Sequence, residues 1–215
     1  MKKILLFIFL TTGLWAQNPQ EDVFHHPLES KTMDAFHATC SRLAEHPFIK
    51  GNFEQEKKAG GSNRLLKSSG NFIIAAELGM VWDTVKPFPS TMTLGKDYLI
   101  QSRPGRQKNV ISAQGNETFI GIAEALSAVF SGNSQKLLDN FEIFYSGAVS
   151  SWELGLSPRN GAVGSFAEMI VMKGDTAIRS IQIFEQSGDT IQYFLSNHSY
   201  PAELNAHEKS FFLLP

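Results

Sequence analysis

Turn residues recur along most of this chain at intervals of about ten, separating short runs rich in β-branched, aromatic and Met residues. The gaps are too short for crossover helices, so neighbouring strands must run antiparallel. The pattern predicts strands near 48–57, 70–76, 79–85, 90–95, 97–103 and 107–113. A second set follows near 141–147, 150–156, 166–173, 176–185, 190–197 and 209–214. Gly95-Lys96-Asp97, Pro104-Gly105, Lys173-Gly174-Asp175 and Ser187-Gly188-Asp189 supply turns.

Two stretches break the rhythm. From Ser30 to His46 the apolar positions, among them Met33, Phe36, Cys40 and Leu43, fall at helical spacing, and Pro47 ends the pattern. Residues 118–130 also read as helix, interrupted only by Glu124 and Ser127, and a helix apolar on nearly every side must be covered on nearly every side. Asn133-Ser134 suits the cap of a further short helix ending near Asn140.

The first residues carry an export pattern. Lys2 and Lys3 precede the apolar run Ile4–Leu10, and Ala16 is a small residue suited to cleavage before Gln17. The run is too short to span a bilayer. We therefore expect a signal peptide over 1–16, an extended leader over 17–29 and one domain over 30–215. The expected address is the periplasm. Position 17 is not Cys, so the usual lipid attachment after a signal is absent.

Little in the chain supports a reaction. Cys40 is the sole Cys and its helical spacing marks a buried structural thiol. The six His are scattered, His25-His26 lies in the leader, and no His-x-x-x-His or Cys-x-x-Cys occurs. Gly-x-Ser-x-Gly, P-loop and Gly-x-Gly-x-x-Gly motifs are absent too. Glu54, Glu56 and Glu77 read as solvated strand charges. The net charge of −2, without long runs of either sign, argues against a nucleic-acid surface. The reading is of a non-enzyme without cofactor or metal.

Apolar residues exceed what a one-faced sheet uses. Phe72-Ile73-Ile74, Phe141-Glu142-Ile143-Phe144-Tyr145 and Met169-Ile170-Val171-Met172 place large groups on both faces. The N-terminal helix can cover one face, and 118–130 is the natural cover for the other. Either this is a filled core, or a curved sheet forms a trough with 118–130 as a lid that admits acyl chains. At about 0.8 kcal/mol per buried CH₂, one long chain would contribute on the order of 10 kcal/mol gross.

A family resemblance enters on particular residues. They are Gly51-Asn52-Phe53-Glu54-Gln55, Ser68-Ser69-Gly70-Asn71-Phe72, and Gly79-Met80-Val81-Trp82 with Lys86-Pro87-Phe88-Pro89. Phe130-Ser131-Gly132-Asn133, Trp152-Glu153-Leu154-Gly155-Leu156-Ser157-Pro158 and Glu185-Gln186-Ser187-Gly188-Asp189 complete the set. From about Phe48 to the C-terminus the chain resembles the periplasmic outer-membrane lipoprotein carrier (LolA-like) proteins, in a divergent branch. The resemblance implies a mainly β, α+β fold: an unclosed antiparallel barrel, or strongly curved half-barrel, with an N-terminal helix and a helical insert covering an apolar cavity. The stretch Ala75-Ala76-Glu77-Leu78-Gly79 lacks the basic residue and Pro that the family carries before its Trp and that tie its lid shut. The resemblance thus implies neither that lid contact nor a particular cargo.

The expected ligand-binding residues are Phe53, Phe72, Ile74, Trp82, Met92, Leu94 and Ile100 from the sheet, and Phe119, Ile122, Leu126 and Phe130 from the lid. A one-residue slip in register would move a strand's set to the other face. The expected function is a monomeric carrier of acyl chains or similar lipid-like cargo, passing it from an inner-membrane donor to an outer-membrane acceptor. The alternative is a periplasmic sensor or interaction module on the same half-barrel, binding lipoprotein or a regulatory partner.

Overall fold

The computed structural model describes residues 20–61, 64–95, 98–112, 127–128, 133–159 and 162–214. Two short helices lead in, α1 (Gln20–Val23) and α2 (Ser30–Leu43). Six strands follow: β1 (Phe48–Lys58), β2 (Leu65–Ala75), β3 (Gly79–Lys86), β4 (Ser90–Leu94), β5 (Tyr98–Ser102) and β6 (Asn109–Ser112). Then come α3 (Ser134–Asn140), β7 (Phe141–Ala148), β8 (Ser151–Pro158), α4 (Ala162–Phe166), β9 (Ala167–Gly174), β10 (Ile178–Glu185), β11 (Thr190–Ser199) and α5 (Ala206–Ser210).

All eleven strands form one antiparallel sheet in the order β6-β5-β4-β3-β2-β1-β11-β10-β9-β8-β7. Two meanders are thus sewn together where β1 pairs with β11. The sheet is not closed, and β6 and β7 are its edges. The chain between those two strands must therefore return from one edge of the sheet to the other. Backbone of the lead-in segment covers the β7 edge: Leu28 N donates to Ile143 O at 2.8 Å, and Tyr145 N donates to His26 O at 2.9 Å. Pairing of this kind satisfies an exposed edge.

The register separates two faces. On the inner face, Ile49, Ile74, Met80 and Leu94 line up across β1–β4, and Leu195, Ile181, Met172, Leu154 and Tyr145 continue through the second meander. Helix α2 lays Phe36, Thr39, Cys40 and Leu43 onto this face, one stripe at i, i+3, i+4 and i+7. Cys40 is the buried thiol its spacing indicated, and burial pushes it up to about 12. Leu137 of α3 and Ala128 join the same core. Asn133 caps α3 as expected, its side chain accepting from Lys136 N at 3.0 Å.

Three expectations are corrected. Helix α2 was expected on the face opposite 118–130, yet α2 and Ala128 share the inner core. The outer face has other covers. Val23 and Phe24 lie over β7 and β8, with Phe24 edge-on to Phe144 at 5.0 Å. Leu204 and Phe212 pack on Ile73, Ala75 and Val81. The expected strand at 209–214 is instead α5 and its exit, because Asn205 and Glu208 cap each other's backbone N–H groups at 2.9 Å and start a helical turn. Tyr98 Oη then fixes the exit by donating to Phe212 O at 2.6 Å. The leader, expected extended, carries the helical turn α1, which directs Val23 into the core.

Candidate functional site

Four inner-face rings from the successive strands β3, β2, β1 and β11 meet, including two from strands that are not neighbours. Trp82 of β3 lies 6.0 Å from Tyr193 of β11, 6.1 Å from Phe72 of β2 and 6.2 Å from Phe53 of β1, and Phe53 lies 6.3 Å from Tyr193. In a flat sheet β3 and β11 would stand about 14 Å apart, three strand spacings. Their rings meet because the sheet bends strongly inward here. Glycine permits the bend at two places. A Cβ on Gly51 would lie 2.6 Å from both the Phe72 ring and Ser196 O, and one on Gly70 would lie 2.0 Å from Asp83 O.

This aromatic floor has polar features at a few defined points. Trp82 is partly exposed, but its Nε1 is sealed from solvent and has no hydrogen-bond partner. Tyr193 is also partly exposed. Burial of its phenol, and secondarily the Glu185 carboxylate, push it up to about 12, so it stays a neutral hydroxyl. Further along β1 the inner face turns polar. Ser68 Oγ donates to Gln55 Oε1 at 3.2 Å, and Lys57 pairs with Glu185 at 3.0 Å and Asp189 at 2.9 Å. The opposite end of the trough ends in a shallow recess lined by Arg42, His46, Ile49, Phe72, His198 and Tyr200. His46 stacks on Tyr200 at 4.1 Å there. Burial and the Arg179 charge lower the pKa of His198, favouring the neutral ring.

The sheet residues expected from sequence divide by register. Phe72 pairs with Trp82, which pairs with Met92, and Ile74 pairs with Met80, which pairs with Leu94. Together with Phe53 these share the inner face. Phe53, Phe72 and Ile74 are buried, whereas Trp82, Met92 and Leu94 are partly exposed. Ile100 lies on the other face, because it pairs with Thr93, which pairs with Val81, which pairs with Ile73 of the outer cluster. Phe119, Ile122, Leu126 and Phe130 lie outside the described residues. Sequence reading missed Tyr193. Its signal was the alternation Ile191, Tyr193, Leu195, which puts all three on the inner face.

The sequence matches the profile of the outer membrane lipoprotein carrier protein LolA family over residues 47–211. The chain belongs to this family. No curated protein matches it in sequence. Solved structures with a similar trace share little sequence. A LolA superfamily protein, NE2245 from Nitrosomonas europaea, is 8% identical, with TM-score 0.49, over 84% of this chain and 97% of its own. A DUF1329 family protein from Desulfovibrio piger is 11% identical, with TM-score 0.46, over 84% and 96%. The complex of MucA and MucB from Pseudomonas aeruginosa matches at 13% identity and TM-score 0.36, over 83% of this chain and 60% of that one. Among the described residues no helix is long and apolar enough to cross a membrane.

Proposed function

We propose that this LolA-family protein is a periplasmic carrier that holds acyl chains, of a lipoprotein or another lipid-like molecule, against the inner face of β1–β4. The observation that carries this reading is a half-exposed apolar floor inside a curved sheet. Trp82 and Leu94 pack against the core yet stay partly exposed, and Met92, paired with Trp82, is partly exposed as well. An ordinary core would seal such groups, since each fully buried large apolar side chain gains about 1.5–3 kcal/mol. An acyl chain laid on them gains about 0.8 kcal/mol per buried CH₂. In this reading the chain between β6 and β7, with Phe119, Ile122, Leu126 and Phe130, closes over the cargo. Closure over an empty trough competes with cargo and permits release. The cargo moves from an inner-membrane donor to an outer-membrane acceptor, and the carrier works as a monomer without cofactor or chemical step.

Native mass spectrometry of the protein purified from its own periplasm tests this. Co-purified acyl species, displaced by a fluorescent fatty acid, are the expected result. Ligand-free protein that also ignores the probe overturns the carrier reading and leaves a sensor or interaction module on the same scaffold.

A further inference from the structure

The unpartnered Trp82 indole says something about the chemistry of the cargo. A buried N–H without an acceptor is destabilising, and native structures rarely keep one without a use. Trp82 Nε1 is such a group, and it sits among Phe53, Phe72 and Tyr193 on the trough floor. The contrast with Trp152 is informative. That indole is also buried, but its Nε1 donates to Asp175 O at 2.6 Å. Tyr193 Oη, the one conventional acceptor on these rings, makes no hydrogen bond to it, and ring faces are only weak acceptors. Its position along the trough is equally specific. On one side lie Ile49, Ile74 and Leu94, which are apolar, and on the other Gln55, Ser68 and the Lys57–Glu185 pair. Trp82 therefore marks the boundary between a place for hydrocarbon and a place for polar groups.

Resting on the reading of this face as an acyl site, we propose that entering cargo displaces the groups that seal Trp82 Nε1 from solvent and presents to it a carbonyl oxygen, from an ester or amide at the head of its acyl chain. The chain then runs toward Phe72, Ile74 and Leu94, and the rest of the molecule lies toward Gln55 and Lys57. The site selects acylated molecules over plain hydrocarbon and holds them in one direction.

The test compares methyl palmitate with octadecane, similar in length, both delivered from cyclodextrin to ¹⁵N-labelled protein. Wild type should bind the ester about fivefold to tenfold more tightly than the alkane, the worth of one net hydrogen bond. The Trp82 indole N–H resonance should move downfield with the ester alone, while that of Trp152 stays in place. In Trp82→Phe the ratio of the two affinities should fall toward one. If ester and alkane bind wild type equally and the indole resonance responds to both alike, a trapped water satisfies Trp82 and the carbonyl assignment is overturned, while the acyl site stands. Binding of neither probe overturns the acyl site itself, and this assignment with it. The resonance is read on wild-type protein, so the answer does not depend on the variant folding.

Discussion

The two meanders of this sheet are built alike in backbone and unlike in packing. In β7–β11 nearly every inner-face side chain is buried in the core that α2 and α3 join: Ile143, Tyr145, Leu154, Leu156, Ile170, Met172, Ile181 and Ile183. In β3–β6 the inner face carries Met80 and Leu99, which are buried, Trp82, Met92 and Leu94, which are partly exposed, and Gln101, which is exposed. One meander is a core and the other is a surface with the composition of a core. An apolar surface of that kind, concave and next to a rigid support, is what a binding site for hydrocarbon requires. The β7–β11 meander supplies stability, so the β3–β6 wing is free to stay incompletely satisfied.

That division predicts unequal costs. Phe36→Ala empties a fully buried site between α2 and Tyr145, whose rings lie 6.0 Å apart. It should cost about 3–5 kcal/mol, read as a lower denaturant midpoint. Met92→Ala, in the wing, should cost less than about 1.5 kcal/mol yet weaken binding of a fatty-acid probe. Equal losses of stability at the two sites would mean that the wing is also core, and that there is no trough.

Between these extremes stands the bend that joins the meanders. Gly51→Ala brings a methyl against the Phe72 ring and Ser196 O, both at 2.6 Å. The ring can give way but the backbone carbonyl cannot. A loss of about 1–3 kcal/mol is expected. Probe affinity should fall as well, because Phe72 is displaced from the floor. A stable Gly51→Ala protein with unchanged binding would show that the floor does not depend on this close approach. Deeper, where α2 packs on β7, Tyr145 Oη and Thr39 Oγ1 share a buried hydrogen bond of 2.7 Å. Tyr145→Phe keeps the ring and should cost about 1 kcal/mol, with probe binding untouched.

Much of this arrangement was legible in the sequence, for reasons that differ by element. Strands at turn spacing were readable because Gly, Asn and Asp mark their ends, and α2 because its stripe repeats at i, i+3, i+4 and i+7. Position in the sheet was less so. Ile100 looks like Leu99 in composition, and only the pairing Leu94 with Leu99 and Thr93 with Ile100 tells which one faces inward. The β2 strand begins at Leu65, before the expected 70, because Lys67-Ser68-Ser69 reads as turn until β1 is there to pair with it. Phe211-Phe212 resembles a strand by composition, and the Asn205–Glu208 cap overrides it. The aromatic floor itself was half visible. Phe53, Phe72 and Trp82 stand out, but Tyr193 joins them only through curvature across the β1–β11 seam, which no local pattern encodes.

The smallest expected effect concerns the turns that frame the supporting meander. Asp189, at the β10–β11 turn, accepts from Gly60 N at 2.8 Å and pairs with Lys57, and these hold its carboxyl below the usual range. Asp175, at the β9–β10 turn, is raised somewhat by burial. Its bonds to Arg179 and to Ala177 N, the latter at 3.0 Å, outweigh that and leave it lowered. A carboxyl whose folded pKa is depressed stabilises the fold fully above its unfolded value, near 4, and loses that contribution as pH falls through the folded value. The contribution of these two carboxyls should therefore be flat from pH 7 to about 5 and decline below about 4. The amide resonances of Gly60 and Ala177 should titrate with midpoints below that of a free Asp side chain. Midpoints at the free value would mean that these carboxylates are solvated in the folded state. The turns of the supporting meander would then be no better anchored than the wing, and the contrast between the two would rest on the buried side chains alone.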